Sequence, residues 1–192
     1  MKQVMPVQAG GCFLALILVA ASCLGCSQTP VGELAADLSS PDDTTRYHAA
    51  MALEKYGPEA AEAVPQLAAA LTDRHPKVRY RSAKALSKMG ITAAPAAESV
   101  AKALPESEPD TRYYLLKILG NIEDAAAVAV PQIVATLGDK DPKIRYYAVK
   151  ALGKIGTGAT AALPALEKLT RDPDQAVRDN AVKAIETIRP RE

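Results

Sequence analysis

Asp141-Pro142-Lys143-Ile144-Arg145-Tyr146-Tyr147-Ala148-Val149-Lys150-Ala151-Leu152-Gly153-Lys154-Ile155-Gly156 decides the fold. Ile144, Ala148, Ala151, Leu152 and Ile155 recur at the spacing of one face of an α-helix. Pro142 suits the first turn and Asp141 the N-cap, where a carboxylate can accept from the free amides. Gly156 falls just past the last apolar residue, where a helix ends on a left-handed residue.

The stretch repeats outward in both directions with a period of 33 residues. Arg46, Arg79, Arg112, Arg145 and Arg178 mark the period, and apolar columns keep step with them. One column reads Leu53, Leu86, Leu119, Leu152, Ile185, a second Tyr56, Met89, Ile122, Ile155, Ile188, and a third Ala52, Ala85, Ile118, Ala151, Ala184. A shorter apolar pattern precedes each Arg-bearing helix, as in Val64, Leu67 and Leu71 or Val130, Ile133 and Leu137. Neither helix of a pair has enough apolar face to stand alone, so stacking of pairs is required. The fold class is all-α, an α-solenoid of about five helix pairs over residues 31–192. Val31 to Leu38 aligns with Val64 to Leu71, so the first repeat is expected to open on a truncated helix.

These strings resemble the HEAT repeat, and most closely the subclass first described in phycobilisome lyases. The resemblance implies that the first helix of each pair carries a Pro, matched by Pro65, Pro131 and Pro164, and that the second follows an Asp and carries the Arg. It further implies that Asp73, Asp139 and Asp172 join with the Arg column in a ladder between repeats, with Ser40 and Glu106 as departures from the Asp column. The second helices would line a concave face. The third copy departs most, with Glu123 in place of the Gly; the second has Glu98 in the Pro slot and Pro95 nearby, where kinking is expected to differ.

The N-terminus reads differently. Lys2 is the only charge before Glu33, and residues 13–21 form an uninterrupted apolar run. That run is far short of the roughly 20 residues a spanning helix needs, and it has the layout of a secretory signal peptide. Gly25-Cys26-Ser27 resembles the lipobox of bacterial lipoproteins. The expectation is a signal peptide over 1–25, lipidation of Cys26 (alternatively Cys23, after Ala20-Ala21-Ser22), and a short linker over 27–30. The chain would then be exported and membrane-anchored; ordinary cleavage would instead leave it soluble outside the cytoplasm. The three cysteines, Cys12, Cys23 and Cys26, all precede the repeats, which excludes disulfides and thiol catalysis within the repeat domain.

Composition narrows the function. The 23 basic and 22 acidic residues nearly cancel, so no nucleic-acid footprint is present across the chain. His48 and His75 sit in different repeats without a spaced partner, His48 as an exposed helix residue and His75 as a helix cap before Pro76. No metal, cofactor or catalytic constellation is expected. The residues that the fold does not demand are Tyr47, Tyr80, Tyr113 and Tyr146 after the periodic Arg, with Tyr114 and Tyr147 beside them. Lys84, Lys117 and Lys150 follow one turn on and share their face. Tyrosine serves interfaces because it joins apolar area to a hydroxyl. These rings could equally cover neighbouring helices. The leading expectation is a monomeric, non-enzymatic scaffold that binds a protein or peptide; a lyase-like accessory protein handling a chromophore and a polyanion binder are the alternatives.

Overall fold

The computed structural model describes residues 30–189. The expected signal peptide, Cys23, Cys26 and most of the linker lie outside the described residues. Ten α-helices, and no strand, are found among the described residues. The short helices are α1 (Val31–Asp37), α3 (Val64–Ala69), α5 (Ala97–Ala103), α7 (Val130–Thr136) and α9 (Leu163–Leu169); the long ones are α2 (Asp43–Tyr56), α4 (Pro76–Met89), α6 (Pro109–Asn121), α8 (Pro142–Ile155) and α10 (Gln175–Ile188). Each long helix packs against the next long helix, and each short helix packs on its own partner, giving two layers. None of the described helices is long and apolar enough to cross a membrane.

The ends of the long helices follow from their sequence. Asp42, His75, Asp141 and Asp174 stand at the N-caps, each accepting a hydrogen bond from a first-turn amide. Pro76, Pro109 and Pro142 occupy the first helical position, where a missing amide proton costs nothing. Gly57, Gly90 and Gly156 end α2, α4 and α8 at φ 55°, 62° and 65°. Their ψ values of −130°, −133° and −136° place them outside the left-handed helical well that the sequence implied, in a region only glycine enters without strain.

A 3₁₀ segment of seven residues precedes each short helix from the second repeat onward: Gly57–Ala63, Gly90–Ala96, Glu123–Ala129 and Gly156–Ala162. The alanine pairs Ala60/Ala63, Ala93/Ala96, Ala126/Ala129 and Ala159/Ala162 are fully buried there. Their spacing of three is one turn of a 3₁₀ helix, so both methyls face the core and neighbouring segments can approach closely. Pro95 falls in this segment and leaves α5 unbroken. Helix α1 has seven residues, as many as α5, α7 and α9, so it is not truncated as the alignment implied.

The core is the set of apolar columns. Leu53, Leu86, Leu119 and Leu152 are wholly enclosed, and the Met89-Ile122-Ile155-Ile188 column is closed as well. Tyr56 and Ala52, in the first repeat, are half-buried, and no described long helix precedes α2 to cover them.

Candidate functional site

The Arg column forms a ladder at the N-terminal ends of the long helices. Arg46 grips Asp73 through two bonds of 2.6 and 3.0 Å, and Arg145 grips Asp172 through two of 2.8 and 2.7 Å. Arg112 donates to Asp139 at 2.6 Å. Each Asp also accepts the amide two residues on, from His75, Asp141 or Asp174. Its main-chain carbonyl accepts from the next periodic Arg in all three cases, Asp73 from Arg79, Asp139 from Arg145 and Asp172 from Arg178. The Arg145 hydrogen bond holds the Asp172 carboxyl below its ordinary pKa against the opposing effect of burial. At Asp73 and Asp139 burial is the larger single influence and pushes upward, but the arginine and amide bonds together outweigh it and the net shift is down.

The second rung differs from expectation. Arg79 pairs with Glu108, the N-cap of α6, rather than with an acid at the Asp-column position 106. The acid has moved two residues along the chain, and Arg79 still reaches it. Arg178 has no acid in the described structure; it is held by Gln175 and by the carbonyls of Asp172 and Pro173.

The tyrosines come together, but as a connected strip and not as a free-standing row. Tyr80, Tyr114, Tyr113, Tyr147 and Tyr146 touch in that order, edge to face, with centroids 5.5, 4.8, 4.6 and 5.2 Å apart. This geometry sets the positive ring edge against a negative face. Tyr47 joins the strip through Arg81, which lies over both Tyr47 and Tyr80 at 5.3 and 5.8 Å and hydrogen-bonds the Tyr47 hydroxyl. All six rings are half-buried, and Tyr113, Tyr114, Tyr146 and Tyr147 rest on the core. The fold therefore uses these rings, although its repeat pattern does not require tyrosine. Burial, with the Tyr80 hydroxyl beside it, pushes Tyr114 up to about 12. Tyr147 is raised through its hydrogen bond with Tyr113, then by burial.

The lysines divide. Lys84 is bound to Glu54 at 2.9 Å, beside Arg81 at 3.2 Å on the same carboxylate. Lys150 lies about 6 Å over both Tyr146 and Tyr147. Lys117 joins Lys150 and Lys154 around a cavity of about 120 Å³ between α6 and α8. A second cavity of about 370 Å³ opens beside Tyr47, Tyr80 and Arg81, with Glu108 and Asp110 on its rim. Sequence reasoning placed Glu54 at the end of the patch, where it weakens the polyanion alternative, but missed Arg81, Lys143 and Lys154. Lys143 stands 4.3 Å from the Tyr113 ring centroid. The signal that finds Arg81 and the ring contacts is a spacing of 34, because residues meet diagonally across adjacent long helices.

His75 caps α4 as read from the sequence, accepting from the Lys77 amide at 3.2 Å, and His48 is exposed. Among the described residues, no group of three or more His, Cys, Asp or Glu side chains is placed to hold a metal ion.

Comparison with known proteins agrees with this architecture. An engineered protein of known structure superposes with a TM-score of 0.71 at 27% identity, covering 82% of this chain and 78% of its own. The complex of CpcE and CpcF of phycocyanin lyase from Nostoc sp. PCC7120 gives a TM-score of 0.66 at 26% identity, over 88% of this chain and 68% of that one. A designed armadillo repeat protein in complex with peptide (KR)4 gives 0.72 at 18% identity, over 83% of this chain and 82% of that one, a likeness of fold alone. No curated protein matches the chain. The HEAT-repeat family model matches residues 32–104 and 97–186, nearly all of the solenoid, and the chain belongs to that family.

Proposed function

We propose that this HEAT-repeat protein is an exported, lipid-anchored, non-catalytic scaffold that holds a protein or peptide segment against the tyrosine strip of α4, α6 and α8. The strip itself carries the reading: five rings in continuous contact, half-open to solvent and flanked by Lys143 and Lys150. Such a surface combines apolar area, hydroxyls and positive charge at low cost in side-chain entropy. Glu54 neutralises Arg81 and Lys84 at the α2 end, which favours a short segment at α6 and α8 over a long polyanion along the whole face. The relative from phycocyanin lyase is itself a complex of two chains, which supports a partner-binding role for this architecture. The sequence Gly25-Cys26-Ser27 after an apolar run motivates the anchor.

The test is crosslinking capture from membranes with the full-length chain. Tyr113→Ala/Tyr146→Ala should lose the captured partner. Leu166→Ala, which removes an enclosed side chain from α9, away from the strip, should lower stability by about 2–5 kcal/mol and keep the partner. Equal capture by the tyrosine variant and wild type would sink the reading. Labelling with a palmitate analogue should mark wild type and vanish in Cys26→Ser; loss in Cys23→Ser instead would move the anchor.

A further inference from the structure

Glu54 and Gly120 occupy the same position of the repeat, two periods apart. Between α2 and α4 that position holds a carboxylate, which receives Lys84 at 2.9 Å and Arg81 at 3.2 Å. Between α6 and α8 the carboxylate is gone; of its two cations one is kept and the other, Arg81, gives way to Tyr147, while a new lysine enters on α6. Lys150 stands in the place of Lys84, Lys154 in the place of Lys88, and Lys117 in the place of Met51, while Glu54 is replaced by Gly120. The space left is the cavity of about 120 Å³, lined by the three lysines with Gly120, Asn121 and Tyr147. Among the described residues none of these lysines is paired with a carboxylate, whereas Lys84 is. Three lysines around one small cavity make it a positive spot, which an anion seated among them would complement.

We propose that this cavity binds a carboxylate side chain, Glu or Asp, of an acidic peptide, in the place that Glu54 fills with its own carboxylate two repeats earlier. The inference rests on the tyrosine face being the binding face and names its ligand class. The cavity has room for one short side chain, the Asn121 amide gives one N–H to the Ser87 carbonyl and has a second to offer, and the neighbouring rings receive the apolar part of the peptide. The molecule's own Glu54 is the precedent that selects a carboxylate. Glycine also leaves room for a tethered replacement: a Cβ at Gly120 would meet Ala151 Cα at 3.5 Å and Lys154 Cδ at 3.6 Å, ordinary contacts.

The experiment is fluorescence anisotropy of a labelled hexaglutamate peptide with the full-length chain in detergent, at about 0.05 M salt so that attraction is not screened away. Hexaglutamate should bind and hexaglutamine should not. Lys154→Gln should weaken binding by about tenfold, the loss of one charge-assisted contact, and Lys88→Gln by no more than about twofold. Gly120→Glu should abolish binding and, without peptide, raise the melting temperature above that of Gly120→Gln, which gains only the helix propensity that any side chain brings to this position. Equal losses in Lys88→Gln and Lys154→Gln would mean diffuse attraction and overturn the proposal, as would a Gly120→Glu variant that still binds. Binding of a phosphoserine peptide or a heparin oligosaccharide through these lysines, without hexaglutamate binding, would assign a different ligand and overturn it too. The broader reading fails separately: a Tyr113→Ala/Tyr146→Ala variant that keeps its membrane partner defeats the scaffold role and leaves the cavity result standing, and loss of that partner with no hexaglutamate binding does the reverse.

Discussion

Glu123 holds φ at 51° at the position where Gly57, Gly90 and Gly156 stand in other repeats. A side chain there forces the Cβ against the backbone, at about 1–2 kcal/mol for a non-glycine residue. Glycine relieves that strain, while the looser unfolded chain offsets part of the gain. Glu123→Gly should therefore raise stability by up to about 1 kcal/mol in urea unfolding. Gly156→Ala is the converse. Nothing lies within 4 Å of a Cβ at Gly156, so its cost is backbone strain alone, about 1–3 kcal/mol. If both substitutions prove neutral, the positive φ at these helix ends is not what the sequence is serving. The glycine positions were legible in the sequence because helix ends want positive φ. Their ψ was not, because that depends on how the following 3₁₀ segment leaves the helix.

Among elements, the Arg rungs decide how one helix pair sits on the next. Breaking an enclosed pair strands the remaining charge, so Arg145→Ala should cost about 3 kcal/mol by leaving Asp172, 6% exposed, with the Asp174 amide but no cation paired to its carboxylate. Arg178→Ala, with no acid partner in the described structure, should cost less than about 1 kcal/mol. Comparable losses at both positions would mean that the arginines act through their carbonyl contacts and not through the acids. The acids also set the response to pH. The folded pKa of Asp73, Asp139 and Asp172 lies below the unfolded value. Their contribution is therefore fully present above the unfolded pKa, and is lost as pH falls through the folded one. Urea midpoints should hold above about pH 5 and decline below it, and Arg145→Ala should flatten that decline. The ladder could be read from the sequence wherever the acid keeps a spacing of 27 from its Arg, as in three rungs. Glu108 escaped because it sits 29 residues from Arg79, at a cap position. The ring strip escaped for a related reason. Its partners meet at a spacing of 34, set by the lateral offset of neighbouring helices, and no single helix reveals that offset.

At the scale of the whole molecule, each repeat touches its neighbours and little else, so stability should be a sum of repeats and interfaces. The ends show what an interface contributes. Val149 is enclosed beneath α10, whereas Val182, its equivalent one repeat later, is 45% exposed because no described helix follows it. Ending the chain after Leu137 would move that boundary inward. Leu116, enclosed in the full chain and in the same column, would take over the exposed place of Val182, and Arg112 would become the terminal arginine. The shortened chain should remain helical over α1–α7 and unfold cooperatively, at a lower temperature and with a smaller urea dependence, since less surface is exposed on unfolding. Leu116→Gln separates this account from general fragility. In the full chain it buries an unpaired amide and removes an enclosed Leu, and should cost about 2–4 kcal/mol. In the shortened chain the same position faces water, and the substitution should cost less than about 0.5 kcal/mol. A shortened chain whose circular dichroism per residue falls well below that of the full protein, or in which Leu116→Gln remains as damaging as before, would show that folding depends on contacts beyond the neighbouring repeat.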